Sequence, residues 1–373
     1  MIYLDNASTT LPLIEVVNEI ENAYRNDYFN ISAKYSPAKM VGRKFSALKS
    51  RLISLLGADG GEIIVTPSAT IANNLVMLSN NPKAQTKIIV SAGEHPSVYE
   101  CAKRLEAQGA KVVFCPLKPS GHVDELKFSE MVDESVGFVS IMHVNNETGA
   151  INDIKKLALI AKSKNPNCLV HADGVQAFGK IPVNLSELGV DYYTISGHKI
   201  NGPKGVGVLW AKSLTKLKPL ILGGGQEQNL ISGTENYPNF AGFMVAVNLT
   251  LNSLDSNFDK VLKTKSDLTR ALNSEGIDFK INGDESVSPY ILNVSFAGIR
   301  GEALLYLLAD RGIFVSNGSA CSSHKRGNRI LEAMGRSREE VDGAVRISFS
   351  AQTSYDVTQI AKIIKEEIDK IKH

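Results

Sequence analysis

Long apolar runs are missing from this 373-residue chain: none approaches the ~18 residues that a membrane-spanning helix needs. The N-terminus, "MIYLDNASTT", has neither a basic n-region nor an apolar h-region, so nothing marks the chain for export. Cysteine is scarce, with four residues at Cys101, Cys115, Cys168 and Cys321 and no C-x-x-C pair. That spacing argues against a disulfide framework or a zinc module and implies reduced thiols in a cytoplasmic protein. An excess of one charge sign is also lacking. With 41 Lys and Arg against 39 Asp and Glu the formal net charge is +2, so no strong field recruits nucleic acid or a membrane surface, and a small-molecule substrate is expected. No G-x-G-x-x-G follows a strand pattern and no Walker loop is present, which disfavours dinucleotides and nucleoside triphosphates. His95, His143, His171 and His198 fall at the ends of apolar runs without a ligand spacing, so no metal is expected.

What is present is an ordinary globular composition, 43% hydrophobic and 21% charged, in a chain longer than one core usually serves. A larger domain with a smaller one beside it is the expectation. Between about 60 and 210 seven short apolar runs alternate with helical patterns: "EIIVT", "KIIVSAG", "KVVFCPL", "GFVSIMHV", "CLVHADG", "DYYTISGH" and "GVGVLWA". Such alternation predicts an α/β fold whose mostly parallel strands are buried on both faces. Polar residues follow several runs, as "TPSAT", "GEHP", "NNETG", "ADGVQ" and "SGHK". Ligands of open α/β sheets bind outside the carboxyl ends of the strands, so these five tips should converge on one site. Residues 252–276 read as one long helical pattern that could link two domains. Beyond it, "YILNVSFAG" and "VRISFS" read as strands of a smaller α+β domain, and "QIAKIIKEEIDKIKH" as an amphipathic helix packed on it.

In "SGHKINGPKGVG", Lys199 directly follows a histidine and precedes a glycine-rich stretch. A desolvated lysine can lose its proton and form a Schiff base with an aldehyde, as pyridoxal phosphate enzymes require. Such a site also needs a carboxylate for the pyridine nitrogen and a cradle for the phosphate. Asp173 in "VHADGVQ" suits the first, and Gln176 three residues on could reach the ring hydroxyl. Ala69 and Thr70 in "TPSATIANN" stand at a strand-to-helix turn, where free N–H groups and the helix dipole favour an anion. Ser196 and His198 flank the lysine and could add donors. Each of these residues alone reads equally well as a helix cap or a satisfied core polar group.

Taken together, "YLDNASTT", "EHPSV", "SIMHVNNETG", "HADGVQAFGK", "SGHKINGPKGVG", "GGGQEQ", "SGTEN", "NGSACSS" and "VRISFS" resemble the cysteine desulfurase family of fold-type I pyridoxal phosphate enzymes over nearly the whole length. The resemblance implies a pyridoxal 5′-phosphate cofactor, L-cysteine as substrate and L-alanine as product. Lys199 would carry the cofactor, Asp173 would pair with its ring nitrogen and Gln176 with its ring hydroxyl. His95 would stack on the ring and assist proton transfers. Thr70, Ser196 and His198 would hold the phosphate, with Thr234 reaching in from the second subunit of a homodimer. Asn146 and Arg346 would hold the substrate carboxylate, with Asn30 at the substrate mouth. Cys321 would be the nucleophile that takes the sulfur as a persulfide and passes it to an acceptor protein, such as an iron–sulfur scaffold or a tRNA-thiolation enzyme. The implied division is a large domain over 16–255 and a small one over 1–15 and 256–373 that carries the Cys321 loop.

Departures from the family pattern are visible. Tyr35 stands where a histidine is usual, Ala38 where a glycine is, and Ile231 where an arginine is; "PSATI" replaces the usual S-G-A-T-E. They fall around substrate access and the subunit boundary. A selenocysteine lyase, another enzyme of the same fold, or a catalytically impaired sulfur-relay protein are the alternatives. The basic run from His324 to Arg329 could lower the pKa of Cys321 or steer an acidic acceptor, or be a solvated loop.

Overall fold

All seven apolar runs become strands, because β-branched and aromatic residues pack well on a pleated surface covered by helices. After a short β1 (Ile2–Tyr3) come β2 (Glu62–Thr66), β3 (Lys87–Ser91), β4 (Lys111–Cys115), β5 (Val136–Met142), β6 (Leu169–Asp173), β7 (Tyr192–Ser196) and β8 (Gly207–Ala211). They form one sheet in the order β2-β8-β7-β6-β5-β3-β4, parallel except for β8, which runs antiparallel to both neighbours. This computed structural model describes residues 1–80, 86–318 and 328–372. Every residue of β3, β7 and β8 is buried, as helices on both faces require. The edge strand β4 differs: Lys111 is exposed and Val112 to Phe114 are half-buried, since only one neighbour pairs with it.

The local reasons for the site lie in the connections. Helix α1 (Ile14–Asn26) and helix α2 (Ser36–Leu55) precede the sheet, α3 (Ala69–Leu78) follows β2, and α4 (Pro96–Ala107) follows β3. Ser68 caps α3 by accepting a hydrogen bond from the Ile71 N–H, and Pro96 stands in the first turn of α4, where its missing N–H costs nothing. A β-carbon on Gly207 would come within 2.2 Å of the Ser68 carbonyl carbon and 2.4 Å of the Ala69 nitrogen, so only glycine lets β8 begin against the start of α3. The loop from β7 to β8 carries Lys199 and turns back through Asn201, which holds φ at 61°, a left-handed value asparagine tolerates.

Beyond the large sheet, β9 (Phe279–Ile281), β10 (Ile291–Phe296) and β12 (Ala344–Ser348) form an antiparallel sheet in the order β12-β10-β9, and β1 pairs in parallel with β11 (Ile313–Phe314). A separate core unites Leu4, Leu268, Leu272, Phe296, Leu308, Ile347 and Ile364. Each such side chain contributes about 1.5–3 kcal/mol when fully buried. The C-terminal helix Val357–Lys372 supplies Ile360, Ile364 and Ile368 to this core. The pattern over 252–276 resolves into parts of two helices, Tyr237–Asn252 and Leu254–Ser274, broken at Ser253. The reason is a change of partner: the first is apolar nearly all round and lies in the large core, whereas the second is amphipathic and faces the small one. Ile330, Leu331, Met334 and Val341 join the core beneath the seven-stranded sheet. No helix among the described residues is long and apolar enough to cross a membrane.

The first ten residues tie the two cores together. Ser348 Oγ accepts from the Ala7 N–H at 2.8 Å on one side, and the His198 carbonyl accepts from the Thr10 N–H at 2.9 Å on the other. This crossing brings the carbonyls of Ala7 and Ser8 to the lysine loop.

Candidate active site

The tips after β2, β3, β5, β6 and β7 meet in a cavity of about 240 Å³. Lys199 lines it from the β7–β8 loop, its Nζ donating to the carbonyls of Ala7 at 2.7 Å and Ser8 at 2.6 Å. Asp173, at the end of β6, is 2% exposed; its carboxylate accepts from Asn73 Nδ2 at 2.8 Å and from the Val175 N–H at 3.0 Å. Glycine is required directly after it, because a β-carbon on Gly174 would lie 2.1 Å from the Tyr193 ring. Gln176 donates from Nε2 to the Ala7 carbonyl at 2.8 Å, so it and Lys199 share one acceptor.

Ala69 and Thr70 form the first turn of α3, where N–H groups lack intrahelical acceptors and the helix dipole is positive. Ser196 and His198 line the same cavity. His198 Nδ1 lies 3.1 Å from Thr9 Oγ1, and burial, reinforced by the charges of Lys199, Lys204 and Lys180, pushes its pKa down to about 4. His95 is the N-cap of α4 and accepts from the Ser97 N–H at 3.1 Å through Nδ1. Burial lowers its pKa as well, so the ring is neutral at pH 7 with its proton on Nε2. Glu94 beside it is fully buried: Oε1 accepts from the Met142 N–H at 2.6 Å, and burial together with the charge of Asp173 raises its pKa.

Arg346 and Asn146 close the remaining wall. The guanidinium, 5% exposed, donates to Asp5 at 2.9 Å, Glu147 at 2.7 Å, Ser8 Oγ at 2.7 Å and the Asn146 carbonyl at 2.9 Å. Its planar fork is thus already engaged by two carboxylates. Asn146 Oδ1 is buried with no hydrogen-bond partner among the described residues.

Two candidates lie elsewhere. Within one chain, Asn30 and Thr234 do not line the Lys199 cavity; both line a second one of about 680 Å³ with Tyr28, Phe29, Ile231 and Tyr237. Cys321 falls outside the described residues, as do His324 to Arg326 of the basic run. Arg329, its last member, is turned inward: it donates to the carbonyls of Ala92 and Glu94 and stacks 3.9 Å over the Tyr99 ring. Ile231 is 5% exposed in an apolar cluster with Leu217 and Leu230, while Tyr35 is 53% exposed and Ala38 fully buried.

Sequence reasoning overlooked Asn73, Glu147, Lys180 and the Ala7 and Ser8 carbonyls. Asn73 follows Thr70 by three residues, which places both on one face of α3, a signal that was available. Its Nδ2 links Asp173 to Ser97 Oγ at 2.9 Å. Asn73→Ala is expected to cost about 1–2 kcal/mol in urea unfolding of the cofactor-free protein, because a buried carboxylate oxygen loses its donor. An unchanged urea midpoint would show that another group takes over.

A phosphorylated aromatic aldehyde suits this donor set. A lysine, a buried carboxylate, a helix start with free N–H groups and the orphaned Asn146 Oδ1 face one space.

Comparison with known proteins agrees in extent and kind. The class-V aminotransferase family model matches residues 2–360. A cysteine desulfurase of Trichormus azollae is 33% identical over 379 residues, covering 100% of this chain and 94% of that protein. The structure of a NifS-like protein superposes with a TM-score of 0.92 at 34% identity, covering 99% of both chains. A structure described as SspA in complex with cysteine has a TM-score of 0.83 at 26% identity, covering 94% of this chain and 99% of that one.

Proposed function

Since this chain belongs to the class-V aminotransferase family and, within it, to the cysteine desulfurases, we propose that it binds pyridoxal 5′-phosphate at Lys199 and converts L-cysteine to L-alanine, taking the sulfur onto Cys321. The observation that carries the reading is the convergence of Lys199, Asp173 and the start of α3 on one cavity.

Bound pyridoxal phosphate supplies an electron-withdrawing ring that accepts the electron pair left when the substrate α-proton departs. Asp173 would pair with the ring nitrogen and favour its protonated form. The N–H groups of Ala69 and Thr70, with Ser196 and His198, would hold the phosphate, and His95, with its proton on Nε2, would assist proton exchange at the ring. Lys199, once released, is kept within reach by the Ala7 and Ser8 carbonyls and moves the proton at the substrate α-carbon. Asn146 and Arg346 orient the substrate carboxylate, which exchanges for one of the present partners of the guanidinium. Cys321 as thiolate attacks the substrate sulfur: an S–S bond forms, the C–S bond breaks, and cysteine plus enzyme thiol becomes alanine plus enzyme persulfide with no outside oxidant or reductant.

The separation of Thr234 and Asn30 from Lys199 within one chain supports a homodimer in which they complete the site of the second subunit. The persulfide then passes to an acceptor protein.

The test is to incubate the cofactor-loaded protein with L-cysteine and a thiol reductant, and to measure alanine and sulfide together. Equal release of both is expected. Alanine without sulfide, or neither product, would overturn the reading.

A further inference from the structure

Lys180 is a buried ionisable group beside the Lys199 cavity that the mechanism leaves unused. It is 6% exposed, and its Nζ donates to Gln176 Oε1 at 2.6 Å. No carboxylate lies within ion-pair distance of it among the described residues. The charged groups that face it are the cations Lys199 and Arg346, and the Tyr290 ring centre lies 5.6 Å from Nζ. Lys180 and Lys199 also border a common cavity of about 30 Å³, room for roughly one water. A buried ammionium without a counter-ion is costly, and a methionine would fill the same volume without that cost. The placement therefore calls for a role that uses the charge.

Resting on the pyridoxal phosphate reading above, we propose that Lys180 is a positioning residue: its ammonium holds the oxygen of the Gln176 amide, so that the NH₂ end is what Gln176 offers to the ring oxygen of the cofactor. The chemistry is one-sided. An ammonium has only donors, so it meets the amide at Oε1, and the Gln176 orientation follows from its partner. Nε2 is left to donate, as it does to the Ala7 carbonyl that also accepts from Lys199. The chain Lys180–Gln176–Ala7–Lys199 thus places a donor and a positive charge beside the nitrogen that carries the cofactor.

A donor at the ring oxygen draws electron density from it, and a nearby cation disfavours protonation of the Lys199 nitrogen. Both lower the pH at which the bound cofactor changes colour. Burial, with the charges of Lys199 and Arg346, brings the Lys180 pKa down to about 7, so its charge is present on the acid side of neutrality, where it acts against that protonation.

The experiment is a pH titration of the visible absorption of the cofactor-loaded wild type, Lys180→Met, Lys180→Arg and Gln176→Glu proteins, without substrate. Lys180→Met is expected to raise the midpoint by about one pH unit, a tenfold gain in proton affinity. Lys180→Arg should restore most of the wild-type value, which a packing role alone would not explain. Should Lys180→Met lose its fold, Gln176→Glu gives the same reading, because Lys180 still holds one oxygen but no donor faces the cofactor; its midpoint should rise. A wild type and variants that load fully and titrate alike overturn this proposal alone. A wild type that takes up no pyridoxal phosphate overturns the functional reading and this proposal with it.

Discussion

Lys199→Ala is expected to abolish alanine formation from cysteine, a loss on the order of 10⁴-fold or more, since one substitution removes both the covalent hold on the cofactor and the base for the α-proton. The variant should still fold. The Ala7 and Ser8 carbonyls both lose the Lys199 donor, but Ala7 keeps that of Gln176, so the cost falls mainly on the Ser8 carbonyl, about 1–3 kcal/mol if it is left unpaired. Circular dichroism and urea unfolding separate such a modest loss of stability from the loss of chemistry. The decisive measurement is borohydride treatment followed by peptide mapping. Wild type should retain fixed cofactor on the peptide containing Lys199, and the variant should retain none. Cofactor fixed at another lysine, or measurable turnover in Lys199→Ala, would remove Lys199 from the centre of the site.

Much of this arrangement was legible because a parallel sheet converts sequence order into place. An apolar run followed by a polar tip states that the tip lies at a carboxyl end, and five such tips have one place to meet. Asp173 and Lys199 could be paired in this way with no knowledge of distance. Other features resist such reading. The carbonyls of Ala7 and Ser8 hold Lys199, yet a main-chain acceptor has no residue type to betray it. Arg346 pairs with Asp5 across 341 positions, and nothing local to either announces the other. Thr234 and Asn30 line a cavity apart from Lys199, and nothing in one sequence states which chain a residue serves. The helical pattern over 252–276 began too early, since Asn252 ends the preceding helix and Ser253 separates it from the amphipathic helix that faces the small core. Ile231, an arginine position in the family pattern, is the opposite case: its burial beside Leu217 and Leu230 explains an apolar residue there on packing alone.

Cys321→Ser should load with cofactor like the wild type and should lose alanine formation by on the order of 10³-fold or more, because a serine hydroxyl is a poor nucleophile toward sulfur at neutral pH and a thiolate is a good one. The described part of the molecule narrows the choice of thiol independently. Cys101, Cys115 and Cys168 are all buried, and burial pushes their pKa values up to about 11, 12 and 12, which keeps them protonated and shut off from a substrate. Cys101 is in α4, Cys115 ends the edge strand β4, and Cys168 precedes β6; none lines the Lys199 cavity. Cys321, between small residues in "GSACSS", is the remaining thiol. Wild type treated with cysteine and no reductant should therefore gain sulfur on the peptide containing Cys321, detected by mass spectrometry, while the serine variant gains none. Loading of Cys321→Ser is checked by its absorption before cysteine is added, so a failure to bind cofactor is not mistaken for a failure of sulfur transfer. Alanine formed by the serine variant at the wild-type rate, or sulfur found on Cys101, Cys115 or Cys168, would show that the sulfur leaves the substrate by another route.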